Sequence, residues 1–93
     1  MSKDVLLTDG FRAQVKTLGK PERVAVGTAI NELQDAFGTP HLHRGLGVRK
    51  LVGDYFEVRV GLDQRLIFKN ERDALVLVFV GDHDAVRDFL RNR

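Results

Sequence analysis

Two neighbouring stretches of this chain hold charged side chains at a spacing suited to gripping a phosphate. Tyr55-Phe56-Glu57-Val58-Arg59-Val60 alternates polar and apolar residues, and Gln64 to Lys69 does so less cleanly. Alternation with a period of two is the signature of a strand covered on one face. Phe56, Val58 and Val60 share a side with Leu66 and Phe68 if a three-residue loop, Gly61-Leu62-Asp63, joins the two strands. That hairpin sets Val58 against Leu66, Phe56 against Phe68, Tyr55 against Lys69 and Arg59 against Arg65. A type II′ turn centred on Gly53-Asp54 adds a third strand, with Leu51 against Phe56 and Lys50 against Glu57. Lys50, Glu57, Arg59 and Arg65 then gather on one face of the sheet. The same register sets Arg49 against Val58 on the core side, so Arg49 must lie at an edge or a bulge must intervene.

Two guanidinium groups directly across a ladder repel, and the pair disfavours folding unless an anion compensates. Glu57 is a diagonal neighbour and can serve. Two readings stay open: an exposed sheet face laced by ion pairs around Glu57, or a phosphate cradle that also holds one carboxylate. His83, in Val80-Gly81-Asp82-His83-Asp84, adds a group suited to proton transfer, because histidine titrates near neutral pH. It is also an ordinary residue for a strand-to-helix junction. Adjacent residues on an extended chain diverge, so Asp82-His83-Asp84 is a weak metal signature. His41 and His43 carry no useful spacing. No Gly-rich phosphate loop and no nucleophile elbow is present.

The elements that must position these residues are legible from apolar spacing. Val5-Leu6-Leu7 reads as a short strand. Thr8 or Asp9 offers an N-cap, and Phe11, Val15 and Leu18 recur at helical spacing up to Gly19. Pro21 suits the first turn of a second helix, whose stripe is Val26, Ile30, Leu33 and Phe37 and whose stop is Gly38-Thr39-Pro40. After Pro40 the period changes to two. Ala74 to Val80 is almost wholly apolar, as a central strand is, after a turn at Asn70-Glu71-Arg72-Asp73. Val86, Phe89 and Leu90 mark a short C-terminal helix. The expected class is α+β: an N-terminal strand and two-helix hairpin packed on an antiparallel β-sheet meander, closed by that helix.

Composition bounds the function. With 93 residues the chain is expected to form one domain, residues 1–93. At 43% hydrophobic and 30% charged residues it is ordinary globular protein rather than disordered chain. No apolar run approaches the roughly 20 residues of a membrane-spanning helix. Met1-Ser2-Lys3-Asp4 does not read as a secretory signal, and there is no cysteine, so a cytoplasmic location without disulfides or thiolate metal sites is expected. The net charge of +2 is uneven. Residues 41–69 hold six basic side chains (Arg44, Arg49, Lys50, Arg59, Arg65, Lys69) against three acidic ones (Asp54, Glu57, Asp63). Arginine outnumbers lysine ten to five, a weak pointer to bidentate phosphate contact.

Several phrases, in order, resemble the RelE/ParE toxin superfamily of bacterial toxin–antitoxin systems. They are Gly47-Val48-Arg49-Lys50-Leu51-Val52-Gly53, Tyr55-Phe56-Glu57-Val58-Arg59-Val60-Gly61, Gln64-Arg65-Leu66-Ile67-Phe68 and Val80-Gly81-Asp82-His83-Asp84-Ala85-Val86. The resemblance implies a curved antiparallel sheet with two N-terminal helices on one side. It implies a metal-independent endoribonuclease without cofactor, cutting mRNA at the ribosome by in-line attack of the 2′-hydroxyl on the adjacent phosphate. Arg65 and Arg59 would stabilise the phosphate, Glu57 or His83 would act as acid or base, and Lys50, Arg49 and Lys69 would bind RNA. A cognate antitoxin protein is implied as partner. ParE-like members imply the alternative of a DNA gyrase inhibitor without nuclease chemistry, and a non-toxic degenerate relative is a third outcome. The C-terminal end of the sheet departs from active members: it reads Asp82-His83-Asp84, and acidic neighbours weaken RNA binding there.

Overall fold

The structure, a computed structural model, describes residues 4–36 and 47–92. Its elements run β1 (Asp4–Leu7), α1 (Asp9–Thr17), α2 (Lys20–Ala36), β2 (Arg49–Lys50), β3 (Tyr55–Val60), β4 (Gln64–Asn70), β5 (Ala74–Gly81) and α3 (His83–Arg91). They form one sheet in the order β1-β5-β4-β3-β2. β2 to β5 make the antiparallel meander, while β1 adds parallel to β5 at the far edge. The α+β class and the element order agree with the sequence. Phe37, the stop at Gly38-Thr39-Pro40, His41, His43 and Arg44 lie outside the described residues. No described helix is long and apolar enough to cross a membrane.

Residue types explain the elements. Thr8 caps α1: its hydroxyl oxygen accepts from the Phe11 amide at 3.1 Å, and the hydroxyl donates to the Leu77 carbonyl at 3.1 Å. One side chain thus starts the helix and ties it to the central strand. The α1–α2 hairpin drives Phe11, Val26 and Leu33 into the inner face of the sheet, against Val58, Val60, Leu66, Phe68, Leu75, Leu77 and Val80. Each fully buried Phe or Leu there contributes roughly 1.5–3 kcal/mol. Where β1 ends, Gln14 takes over its pairing with β5. Its amide accepts from the Val80 N–H and donates to the Val80 carbonyl, both at 3.0 Å. Two backbone groups at the end of a parallel pairing are satisfied by one side chain.

The β3–β4 register is the one the alternation predicts, including Arg59 opposite Arg65 and Tyr55 opposite Lys69. The loop Gly61-Leu62-Asp63 joins them, with Gly61 at φ 64°, a conformation that favours glycine. The β2–β3 register differs by one residue. A turn does centre on Gly53-Asp54, with Gly53 at φ 62° and the Tyr55 N–H donating to the Val52 carbonyl. The Leu51 N–H, however, donates to the Tyr55 carbonyl at 2.8 Å, so Leu51 and Val52 both oppose Tyr55. This bulge sets Arg49 against Glu57 and Lys50 against Phe56. The expected pairings of Leu51 with Phe56, Lys50 with Glu57 and Arg49 with Val58 are therefore corrected.

A second irregularity decides what covers the outer face. Ile67 pairs with Phe79 but Phe68 with Leu77, so Val78 is an extra residue in β5. Without it Phe79 would point inward. With it Phe79 joins Ile67 on the outer face, where α3 packs over both. The Phe79 and Phe89 rings stack at 4.6 Å, Tyr55 meets Phe89 edge-on at 5.9 Å, and Ile67 is fully buried. The C-terminal helix α3 thus lies over part of the sheet face that carries Arg59 and Arg65.

Candidate nucleic-acid interface

Arg49, Glu57, Arg65 and His83 meet in a groove that α3 also lines. Asp82 caps that helix, accepting from the Ala85 amide at 2.8 Å. Gly81 makes the approach possible, since a Cβ there would lie 2.9 Å from the Ala85 Cβ and 2.9 Å from the Phe79 ring. His83 is thereby placed beside Arg65, opposite Gly81 in the sheet.

Glu57 is the fixed point of the cluster. Its side chain is only 5% exposed, and one carboxylate oxygen accepts from Arg49 at 2.9 Å and from Arg65 at 3.2 Å. The second oxygen accepts from the same Arg65 nitrogen at 3.4 Å. The two guanidinium groups differ in exposure, 65% for Arg49 and 19% for Arg65. This buried carboxylate already receives two cations. What it does is hold Arg65 and Arg49 in place. Arg59, directly across from Arg65, is exposed and enters none of the described ion pairs. The two-cation rung is thus half compensated: Arg65 has Glu57, while Arg59 faces solvent.

The remaining predicted residues divide. Arg49 joins the cluster in the place foreseen for Lys50, on the Glu57 side of β2. Lys50, paired with Phe56, is on the other face of that strand and exposed. Lys69 is on the outer face but four residues along β4 from Arg65, roughly 13 Å away. Its Nζ sits 5.6 Å from the centre of the Tyr55 ring. Sequence reasoning missed Arg87. It lies one helical turn after His83 and lines a groove with Arg49, Glu57, Arg65 and His83. The i, i+4 spacing of His83 and Arg87 was the available signal.

Two depressions flank His83. The groove between β2 and α3 has Leu51, Val86 and Leu90 as apolar lining and carries the arginines just named. The second, a cleft of about 550 Å³, is lined by Arg65 and His83 but also by Asp63, Asp82 and Asp84. Three carboxylates against one arginine make that cleft electronegative. Among the described residues no group of three His, Asp or Glu side chains is arranged to hold a metal ion.

No protein-family model matches the sequence, and no curated protein matches it. Solved structures do. A chain of the RelB–RelE antitoxin–toxin complex from Methanococcus jannaschii is 21% identical, with 90% of this chain and 96% of that one covered at a TM-score of 0.70. YafQ from Escherichia coli strain BL21(DE3) is 20% identical, covering 90% and 97%, at 0.71. The E. coli toxin RelE, a mutant solved in the free state, is 17% identical, covering 97% and 93%, at 0.72. Likeness at these identities is likeness of fold, and it spans nearly the whole of each chain.

Proposed function

We propose that this chain, which has the RelE toxin fold, is the toxin of a toxin–antitoxin pair and cuts single-stranded message at the ribosome by metal-independent phosphoryl transfer. The observation that carries the reading is the Arg59–Arg65 rung, with His83 beside Arg65 and the buried Glu57 paired to it on the same face. Arg65, held by Glu57, and Arg59, free to swing, take the two non-bridging oxygens of a phosphate, and the repulsion between them is relieved when the anion arrives. His83 accepts the proton of the 2′-hydroxyl as that oxygen attacks phosphorus. The bond to the 5′-oxygen breaks, the leaving oxygen takes a proton from water, and a 2′,3′-cyclic phosphate remains. Glu57 is a positioning residue in this scheme. Arg49 and Lys69 add sequence-neutral phosphate contacts, and Lys50, on the other face of β2, contacts backbone outside the cluster.

The partner is a cognate antitoxin. The RelE and YafQ relatives of this fold were solved in complex with RelB and DinJ, which supports it. A second reading is favoured by the carboxylates Asp63, Asp82 and Asp84 around His83, which oppose an RNA phosphate: a gyrase inhibitor without nuclease activity. Induced expression separates the two. The nuclease reading predicts arrested translation with fragmented message and normal plasmid supercoiling. Intact message with failed supercoiling would overturn it in favour of gyrase, and harmless overexpression without antitoxin would mark a non-toxic relative. Arg59→Ala is the cleanest site variant, because Arg59 is exposed; toxicity should be lost with the fold intact.

A further inference from the structure

Between α1 and α2 lies an apolar groove of about 390 Å³ that shares no residue with the charged cluster and is walled by Phe11, Val15, Val26 and Ile30. Its rim carries Arg12, Lys16 and Arg23, all exposed and in none of the described ion pairs, and no carboxylate lines it. Gly27 lines it too. A mid-helix glycine costs helix stability, yet a Cβ there would meet nothing within 4 Å, so the packing of the chain itself does not call for glycine. The bare backbone leaves room for an incoming side chain. The same molecule carries the complement. Leu62, at the tip of the β3–β4 hairpin, is 98% exposed, and Glu22 and Asp63 border it in a cleft that no cation lines. Knob and groove flank α2 on opposite sides: Glu22 and Ala25 on the side of Leu62, Arg23 and Val26 on the side of the groove. Helical spacing puts Val24, 60% exposed, on the ridge between them. A two-fold axis alongside that ridge sets Leu62 of each copy into the groove of the other, brings Asp63 to the three cations and covers both Val24 side chains.

We propose that this face is an interface between two copies of this chain, closed by Leu62 in the α1–α2 groove. It depends on neither the nuclease nor the gyrase reading. Sedimentation equilibrium of the full chain across the micromolar range should show a reversible dimer that added salt weakens. Taking one leucine out of an apolar site costs about tenfold in affinity, so Leu62→Ser, which removes two per dimer, should raise the dimer Kd about a hundredfold. Gly27→Leu fills the groove and should abolish the dimer while raising the urea midpoint, because leucine is the better helix former. Arg23→Glu weakens the dimer, and Asp63→Arg in the same chain restores it. A chain that stays monomeric at every concentration overturns the proposal. So does a dimer that Leu62→Ser and Gly27→Leu leave unchanged, since its contact lies on another face. A monomer whose groove takes an acidic amphipathic peptide, with that binding lost in Gly27→Leu, also overturns it and makes the groove a docking site for a separate protein.

Discussion

Removing Glu57 is the most informative single perturbation of the cluster. The carboxylate is nearly buried and receives two guanidinium groups of very different exposure. Taking away one partner of a buried ion pair costs about 3–5 kcal/mol, because it strands the other charge. Arg49, 65% exposed, recovers its hydration and contributes at most about 1 kcal/mol to the loss. Arg65, 19% exposed, cannot recover so fully and places the loss near the low end of the buried range. Glu57→Ala should therefore cost about 3–4 kcal/mol. At roughly 4–8 °C per kcal/mol for a domain of this size, that is a fall in Tm of at least about 12 °C. Urea unfolding should show a lower midpoint with unchanged m. A double-mutant cycle should assign about 2 kcal/mol or more to the Glu57–Arg65 pair and under 1 kcal/mol to Glu57–Arg49. A Glu57→Ala protein within about 0.5 kcal/mol of the parent would refute the reasoning and return Glu57 to the pool of free carboxylates available for catalysis.

Two further substitutions probe how the site is positioned. Gln14→Ala leaves the Val80 N–H and carbonyl without their partner, and chemical denaturation should show a loss of about 1–3 kcal/mol with no change in the site residues themselves. Gly81→Ala forces a Cβ against Ala85 and Phe79, so α3 must lift; a loss of about 1–3 kcal/mol and a changed aromatic circular dichroism signal from Tyr55 and Phe89 are expected.

How much of this could be read from the residues depends on whether a pattern fixed the geometry. Phe56, Val58 and Val60 against Leu66 and Phe68 admit one register, and the Arg59–Arg65 rung follows from it. β2 is two residues long and has no alternation to lock it, so the bulge at Leu51 and Val52 left no mark in the pattern, and Arg49 took the place expected of Lys50. The amphipathic stripe Val86, Phe89, Leu90 announces α3 but not the face it covers. Ile67 and Phe79, both apolar and both outward, carry that information once the extra residue at Val78 is known. The parallel addition of β1 to β5 is equally silent, because Ala74 to Val80 is apolar on both sides and specifies no neighbour.

The proposed cleavage would leave a distinctive end on each RNA fragment. End-labelled message is translated in vitro with the purified protein, and its fragments are examined for the terminal group. Fragments ending in 2′,3′-cyclic phosphate with the parent, and intact message with a folded Arg59→Ala protein, are the predicted result. Message left whole by the parent, or cut equally well by Arg59→Ala, would contradict it.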